Sequence, residues 1–444
     1  MQKIKTSNRN IQTKIPAPGT FKLIKKLKEI ESRSMHGQLP IVWSKALDHS
    51  IYDIAGNKFI DFTSTIFVTN VGHANPKLIK NVKKVLDSKL LHSYAYIHNT
   101  RKIYIKKLLN FAGKKFDKAF LLSAGTEATE AALKLMRLQG KKKKKNKLGI
   151  ICFEGNWHGR TMGAQLMSGN KKQKKWMGFD DRNIHHIPFP YPWHVNEKEG
   201  KKFFEKSLKK LSKKVNIKKD IAGIMLETFQ GWGAVFYPKS FIKAVRNYAN
   251  KNDVVMCFDE MQAGFGRTGK NFGFQNYDII PDIICCGKGM GGGVPLSGVL
   301  GKKEIMDLPE YGDMSSTNSA NPISCSAGIA VLDELRSKQI VKKTFIKGIY
   351  LKKRLEKIKL KFSKEINFVS SKGLIAALIF KRKKKIGNLL KEVCLECMRN
   401  GLLVVYTGRE SIKIGPPLTI TDSALREGLD VLENSILKIF NDKN

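Results

Sequence analysis

Lys288 directly follows the apolar run at residues 282–286 and sits between Gly287 and Gly289. A lysine placed there is partly removed from water, which lowers its pKa and frees a nucleophilic amine. Schiff-base chemistry needs such an amine. On position alone, Lys288 is also one of 81 Lys and Arg residues, so its companions decide the matter. Asp259 closes a second apolar run, residues 254–258. A carboxylate at that depth needs a partner. The nitrogen of a protonated pyridine ring would serve, and the ion pair would keep the ring able to withdraw electrons from a carbanion. A helix cap or a local Lys or Arg would satisfy the same carboxylate. Ser123-Ala-Gly125-Thr126-Glu127 stands between an apolar run and a helical pattern. Free backbone N–H groups at a helix N-terminus suit a phosphate, and a plain cap by Ser123 or Thr126 would use the same residues. Trp157 could stack on a flat ring, although core packing is the commoner role for a tryptophan.

Two glycine patterns, Gly264-Phe-Gly-Arg-Thr-Gly269 and Gly287-Lys-Gly-Met-Gly-Gly292, fit the dinucleotide fingerprint. Neither lies between a strand and an apolar helix, so a nicotinamide site is not expected. His185, His186 and His194 fall in a Pro- and aromatic-rich loop without carboxylate or Cys spacing for a metal, and are expected to be structural. No metal site is expected.

These residues share a position relative to the elements that carry them. Short apolar runs at 119–122, 149–153, 221–226, 254–258 and 282–286 alternate with helical segments. That alternation predicts buried parallel strands in a doubly wound α/β sheet. Ligands of such sheets bind beyond the carboxyl ends of the strands. The five runs are followed by Ser123 to Glu127, by Glu154 to Arg160, by Glu227, by Asp259 with Glu260 and Gln262, and by Lys288. Five strand ends therefore deliver polar groups to one sheet edge. Residues 1–20 are expected to be a flexible arm, 21–33 and 76–90 helical, and 42–62 short strands.

The 444 residues, 42% of them hydrophobic, are too many for one average domain. The expected division is an N-terminal arm with part of a small domain (1–70), a large α/β domain (71–320) and a C-terminal small domain (321–444). The formal net charge is +43, mostly from lysine spread along the whole chain. Aromatics do not interleave with the basic runs as a single-strand platform requires, and 141–145 is expected to be a solvated loop. No nucleic-acid or membrane partner is expected, and no apolar run is long enough to span a bilayer. The 7 cysteines make an odd count. Cys394 and Cys397 fall one helical turn apart, and Cys285 and Cys286 in a strand-like run. Packing rather than disulfides or metal is expected, in a reducing cytoplasm.

From residue 42 to 432 the sequence resembles the class III (ω-amino) aminotransferases, of the fold type I pyridoxal-phosphate enzymes. The motifs are Asp53-Ile-Ala-Gly-Asn-Lys-Phe-Ile-Asp61, Gly72-His-Ala-Asn-Pro76, Ser123-Ala-Gly-Thr-Glu-Ala-Thr-Glu-Ala-Ala132, Trp157-His-Gly-Arg-Thr161, Phe258-Asp-Glu-Met-Gln262, Gly287-Lys-Gly289, Ser316-Thr317 and Pro416-Pro-Leu418. The resemblance implies a large domain with a mostly parallel sheet of the seven-stranded type and a smaller α+β domain. It implies pyridoxal 5'-phosphate as cofactor and residue roles to match. Lys288 would carry the Schiff base and shuttle the proton, Asp259 would meet the pyridine nitrogen, and Gln262 the ring hydroxyl. Trp157 and Met261 would cover the ring faces, with His158 and Glu227 also on the cofactor side. The backbone of Gly125 and Thr126 would hold the phosphate, Ser316 would be on the cofactor side, and Thr317 would reach the phosphate of the neighbouring subunit. A homodimer or a dimer of dimers follows. Arg160 matches an arginine that grips a substrate carboxylate.

Two departures bear on substrate. The family's Glu-Pro, Gln-Gly-Glu stretch reads Glu227-Thr-Phe-Gln-Gly-Trp232 here, and the arginine before Pro-Pro-Leu is Lys413. Both members of a glutamate–arginine gate are thus changed, and lysine lacks the bidentate fork that suits a carboxylate. The expected activity is transfer of an amino group from a small ω-amino acid, 4-aminobutyrate-like, to 2-oxoglutarate or pyruvate by a ping-pong mechanism. The alternative is a lyase or isomerase on the same scaffold acting on a phosphorylated, phosphonate or sulfonate amine.

Overall fold

The computed structural model describes residues 3–441. The chain forms two compact units, one of residues 77–342 and one combining the N-terminal segment up to Pro76 with the chain from Lys343 onward.

The first unit is built on a seven-stranded sheet. Its strands are β1 (Lys118–Leu122), β2 (Gly149–Phe153), β3 (Ile184–Ile187), β4 (Ile221–Glu227), β5 (Val255–Asp259), β6 (Ile283–Cys286) and β7 (Ser297–Gly301), in the order β1-β7-β6-β5-β4-β2-β3. β4 and β6 flank β5 in parallel, and β2 runs parallel to β3 and β4. β7 alone is antiparallel, to both β6 and β1. β2, β4, β5 and β6 are buried along their whole length, so they show no alternation of apolar and polar residues. All five anticipated strands form. β3 and β7 were not anticipated. β3 is an edge strand carrying His185 and His186 within the sheet, not in a loop as expected, because a half-buried edge tolerates polar side chains on its open face.

The helix α1 (Gly125–Lys143) returns across this sheet from β1. Ala128, Ala132, Leu135 and Met136 are fully buried at helical spacing. Leu135→Ala would cost about 2–5 kcal/mol through lost transfer energy and a cavity. The small residues bring the backbones close: a Cβ on Gly223 of β4 would lie 2.3 Å from Met136 Sδ. The lysine run does not begin as a loop. Lys141, Lys142 and Lys143 make the last helical turn, where cations favour the C-terminal end of the helix dipole.

The second unit contains two sheets. In one, Trp43–Leu47, Ser50–Asp53 and Lys58–Asp61 form a meander. The expected flexible arm is not free: Ile4–Lys5 and Asn10–Ile11 pair with each other and extend this sheet through Asn10 and Lys58. Ile11 is anchored among Ile51, Phe59, Met398 and Leu403, and that burial outweighs the freedom of the segment. The other sheet is antiparallel, in the order Ile366–Lys372, Ile375–Phe380, Ser411–Ile414, Val405–Tyr406. Cys394 and Cys397 are buried one turn apart on the helix Ile386–Arg399. All seven cysteines are free and buried. Among the described residues no helix is long and apolar enough to cross a membrane, and no group of three or more His, Cys, Asp or Glu could hold a metal.

Candidate active site

The parallel register fixes the first contacts. Glu227 and Asp259 are paired positions at the ends of β4 and β5, and Asp259 is opposite Cys285 of β6, three residues before Lys288. Two carboxylates and one amine therefore converge at the carboxyl edge, where a twisted open sheet binds its ligands. Lys288 has φ +44°, a left-handed conformation that is strained for a residue with a Cβ. The turn cannot relax by adding bulk, because a Cβ on Gly287 would lie 2.6 Å from Met261 Sδ.

Burial pulls the Lys288 amine below the ordinary lysine range, against the opposing charges of Asp259 and Glu227. A larger fraction of unprotonated, nucleophilic amine results. Asp259 is buried, accepting from Met261 N at 3.0 Å and facing His158 Nδ1 at 2.9 Å. His158 is buried too, and its Nε2 has no hydrogen-bond partner. Glu227 accepts from Trp157 N at 2.9 Å, Gly231 N at 3.3 Å and Gln262 Nε2 at 3.3 Å. Burial and then the Asp259 charge nevertheless push its pKa up to about 8, against the lowering by Trp157 N and Gly231 N. The Glu227 carboxyl thus holds its proton at neutral pH.

At the end of β1 the expected caps do not form. The helix opens at Gly125 without a side-chain cap, and Glu127 Oε2 instead accepts from Ser123 N and Ala124 N at 2.9 and 2.8 Å. A glutamate reaching back satisfies those two donors and leaves Thr126 Oγ1 to meet Thr161 Oγ1 at 2.6 Å. Thr161 in turn donates to Glu130 Oε1 at 2.6 Å. This chain ties the segment Trp157 to Thr161 to the start of α1. The first N–H groups of α1 have no acceptor within the helix, and they face the same strand ends: a Cβ on Gly125 would lie 2.9 Å from Met261 Sδ.

Arg160 is exposed, its guanidinium 4.6 Å from the centre of the Trp157 ring. It makes no ion pair among the described residues. Trp232 is half-buried and donates from Nε1 to Gln230 Oε1. Ser316 lines a cavity of about 710 Å³ with Glu127, Glu130, Thr161 and Met314. Thr317 is exposed, and its carbonyl accepts from His92 Nε2 at 2.9 Å. Lys413 belongs to the other unit. It is buried on the strand Ser411–Ile414, with its ammonium 4.7 Å from the Phe67 ring centre. The first unit thus gathers Lys288, Asp259, His158, Glu227, Met261, Gln262, Trp157, Gly125 and Thr126 around one sheet edge.

Sequence reasoning gave no role to Glu260 or Gln230. Glu260 is fully buried and accepts from Thr228 Oγ1 at 2.6 Å, Gly273 N at 2.7 Å and Phe274 N at 2.7 Å. Burial pushes its pKa up to about 7 despite these donors. It clamps the segment after Gln262 beneath Asp259. A charged residue directly after a buried strand end was the available signal.

The aminotransferase class-III family matches residues 32–436, and the chain belongs to that family. Acetylornithine aminotransferase of Clostridium acetobutylicum is 31% identical over 407 residues, covering 90% of this chain and 97% of the relative. Mitochondrial ornithine aminotransferase of Arabidopsis thaliana is 30% identical, covering 95% and 86%. The crystal structure of acetylornithine aminotransferase from Elizabethkingia anophelis superposes with a TM-score of 0.79 at 26% identity, over 94% of this chain and 99% of that one. The protein is therefore a fold type I transaminase that depends on pyridoxal phosphate and passes an amino group from an amine donor to a 2-oxo acid. The site fits that cofactor: an amine of lowered pKa, a buried carboxylate and an open helix N-terminus lie where an aldehyde, a pyridine nitrogen and a phosphate need them.

Proposed function

We propose that the enzyme transfers the terminal amino group of a small ω-amino acid, of the 4-aminobutyrate or ornithine type, to 2-oxoglutarate or pyruvate by a ping-pong mechanism. The observation that carries this reading is the exposed, unpaired Arg160, stacked on Trp157 beside the Lys288 edge. A donor that places its carboxylate on Arg160 would leave its far amine to react.

Pyridoxal phosphate, when bound, supplies the electron sink and carries the amino group between the two half-reactions. Lys288 would hold it covalently and move the proton at the substrate carbon. Asp259, oriented by His158, would pair with the pyridine nitrogen. Glu227 and Gln262 would meet the ring hydroxyl, with Trp157 and Met261 on the ring faces. The N–H groups of Gly125 and Thr126 would hold the phosphate, with Ser316 on the cofactor side and Thr317 of a second copy, in a homodimer or a dimer of dimers. Trp232 and Lys413 stand in sequence where the family has a glutamate and an arginine, and lysine lacks the arginine fork, so pyruvate as well as 2-oxoglutarate is kept as acceptor.

The test is the absorbance of the holoenzyme titrated with ω-amino acids in the absence of acceptor. Stable loss of the visible band, restored by a 2-oxo acid, is the expected result. A band that recovers unaided while ammonia accumulates would mean a lyase instead.

A further inference from the structure

Gln230 is fully buried and uses all of its hydrogen-bonding capacity. Its Nε2 donates to Glu154 O at 2.7 Å and Asn156 Oδ1 at 3.2 Å. Its Oε1 accepts from Tyr191 OH at 2.7 Å and from Trp232 Nε1. An amide offers two donors and two lone pairs, and an indole N–H can only donate, so only one orientation of Gln230 satisfies all four partners. Asn156 is fixed in turn by donating to Tyr237 OH at 3.1 Å. Gly155 lets the chain pass close to this amide, since a Cβ there would lie 2.7 Å from Gln230 Nε2.

The consequence is a rigid aromatic corner. Tyr191 and Trp193 stack at 4.8 Å and 17°, and Trp232 meets them edge-on at 6.3 and 6.4 Å. All three rings are half-buried, so each keeps a face or an edge toward solvent. The corner adjoins the reacting groups. Gly231, between Gln230 and Trp232, donates to Glu227, and a Cβ there would lie 2.3 Å from Gln262 Nε2. Half-buried rings beside Gly231, which touches both Glu227 and Gln262, and held by a saturated buried amide, offer a preorganised apolar surface.

We propose that Tyr191, Trp193 and Trp232 form the specificity wall of this transaminase, selecting amine donors with an apolar or aromatic arm, and that Gln230 is the residue that positions the wall. The proposal rests on the transaminase site described above and names the substrate class that site prefers.

The experiment measures kcat and KM of the holoenzyme for β-phenylalanine and β-alanine, which share amine and carboxylate and differ by the phenyl arm. Wild type should favour β-phenylalanine. Trp232→Ala should lower the ratio of the two kcat/KM values by about tenfold or more, through KM rather than kcat, as expected for a lost apolar contact. Trp232→Phe, which keeps a ring, should hold most of the ratio. Gln230→Leu should lower it while the cofactor absorbance persists. Should Gln230→Leu not fold, the Trp232 pair decides alone. Equal ratios in wild type and Trp232→Ala, or a wild type indifferent to the arm, would overturn the wall. A wild type that favours phenyl-bearing α-amino acids and turns over no ω-amino acid would sink the donor reading while supporting the wall.

Discussion

His158 Nδ1 lies 2.9 Å from Asp259 Oδ2, and both side chains are buried. The contact joins the loop after β2 to the end of β5, so the carboxylate is aimed by a residue 101 positions away in sequence. Removing one partner of a buried polar pair costs about 1–3 kcal/mol. His158→Ala is expected to weaken cofactor binding by about 10- to 100-fold. His158→Asn, which can still donate, should recover part of it. A spectroscopic titration of cofactor-free protein checks both values.

Lys288→Ala is expected to abolish transamination while leaving the Asp259 and α1 contacts able to bind cofactor. The check is borohydride reduction followed by mass spectrometry. The cofactor should become fixed to wild type and not to the variant. Fixation to the variant would move the reactive amine elsewhere.

Burial, and then the Asp259 charge, push the pKa of the Glu227 carboxyl up to about 8 in the folded protein. An unfolded glutamate loses its proton near its ordinary value of about 4.3. The folded state binds the extra proton between those values, so this contribution to stability is full at low pH and is lost as pH rises toward 8. Glu260, pushed up to about 7, acts in the same sense. Melting temperatures of the cofactor-free protein should therefore fall between about pH 5 and pH 8. Glu227→Gln should make that slope shallower without abolishing it.

Gly159 has φ +140°, and a Cβ there would lie 2.3 Å from Thr126 Oγ1. Gly159→Ala should destabilise the protein by about 1–3 kcal/mol and lower activity, because Trp157 and Arg160 move with this loop. Adding Thr126→Ala removes the contact with Oγ1 but leaves the Cβ of residue 126 at 2.8 Å and the backbone strain. Thermal unfolding of the double variant should show partial recovery, a coupling that independent sites would lack.

Much of the site was legible because parallel strands buried on both faces announce themselves. Runs such as Ile221–Glu227 and Val255–Asp259 contain no alternation, and the polar residue that ends each one stands out. That rule puts Lys288, Asp259, Glu227 and the Gly125–Thr126 turn at the strand ends, while their roles came from their companions and the family resemblance. β7 escaped because its Ser297–Gly301 segment is short, glycine-containing and antiparallel. The N-terminal strands escaped because two-residue pairings leave no periodicity, and only the packing of Ile11 against distant residues fixes them.

The sequence by itself placed these polar groups at the strand ends, since residue type, apolar flanks and order along the chain carry that information locally. Tertiary structure decided what the chain could not state: that burial, and then the neighbouring Asp259 charge, push the Glu227 carboxyl to about 8, that His158 aims Asp259, and that Gln230 joins Tyr191 to Trp232. Each depends on strands and loops far apart in sequence meeting in one low-dielectric edge, where burial and a few ångströms set both charge and orientation.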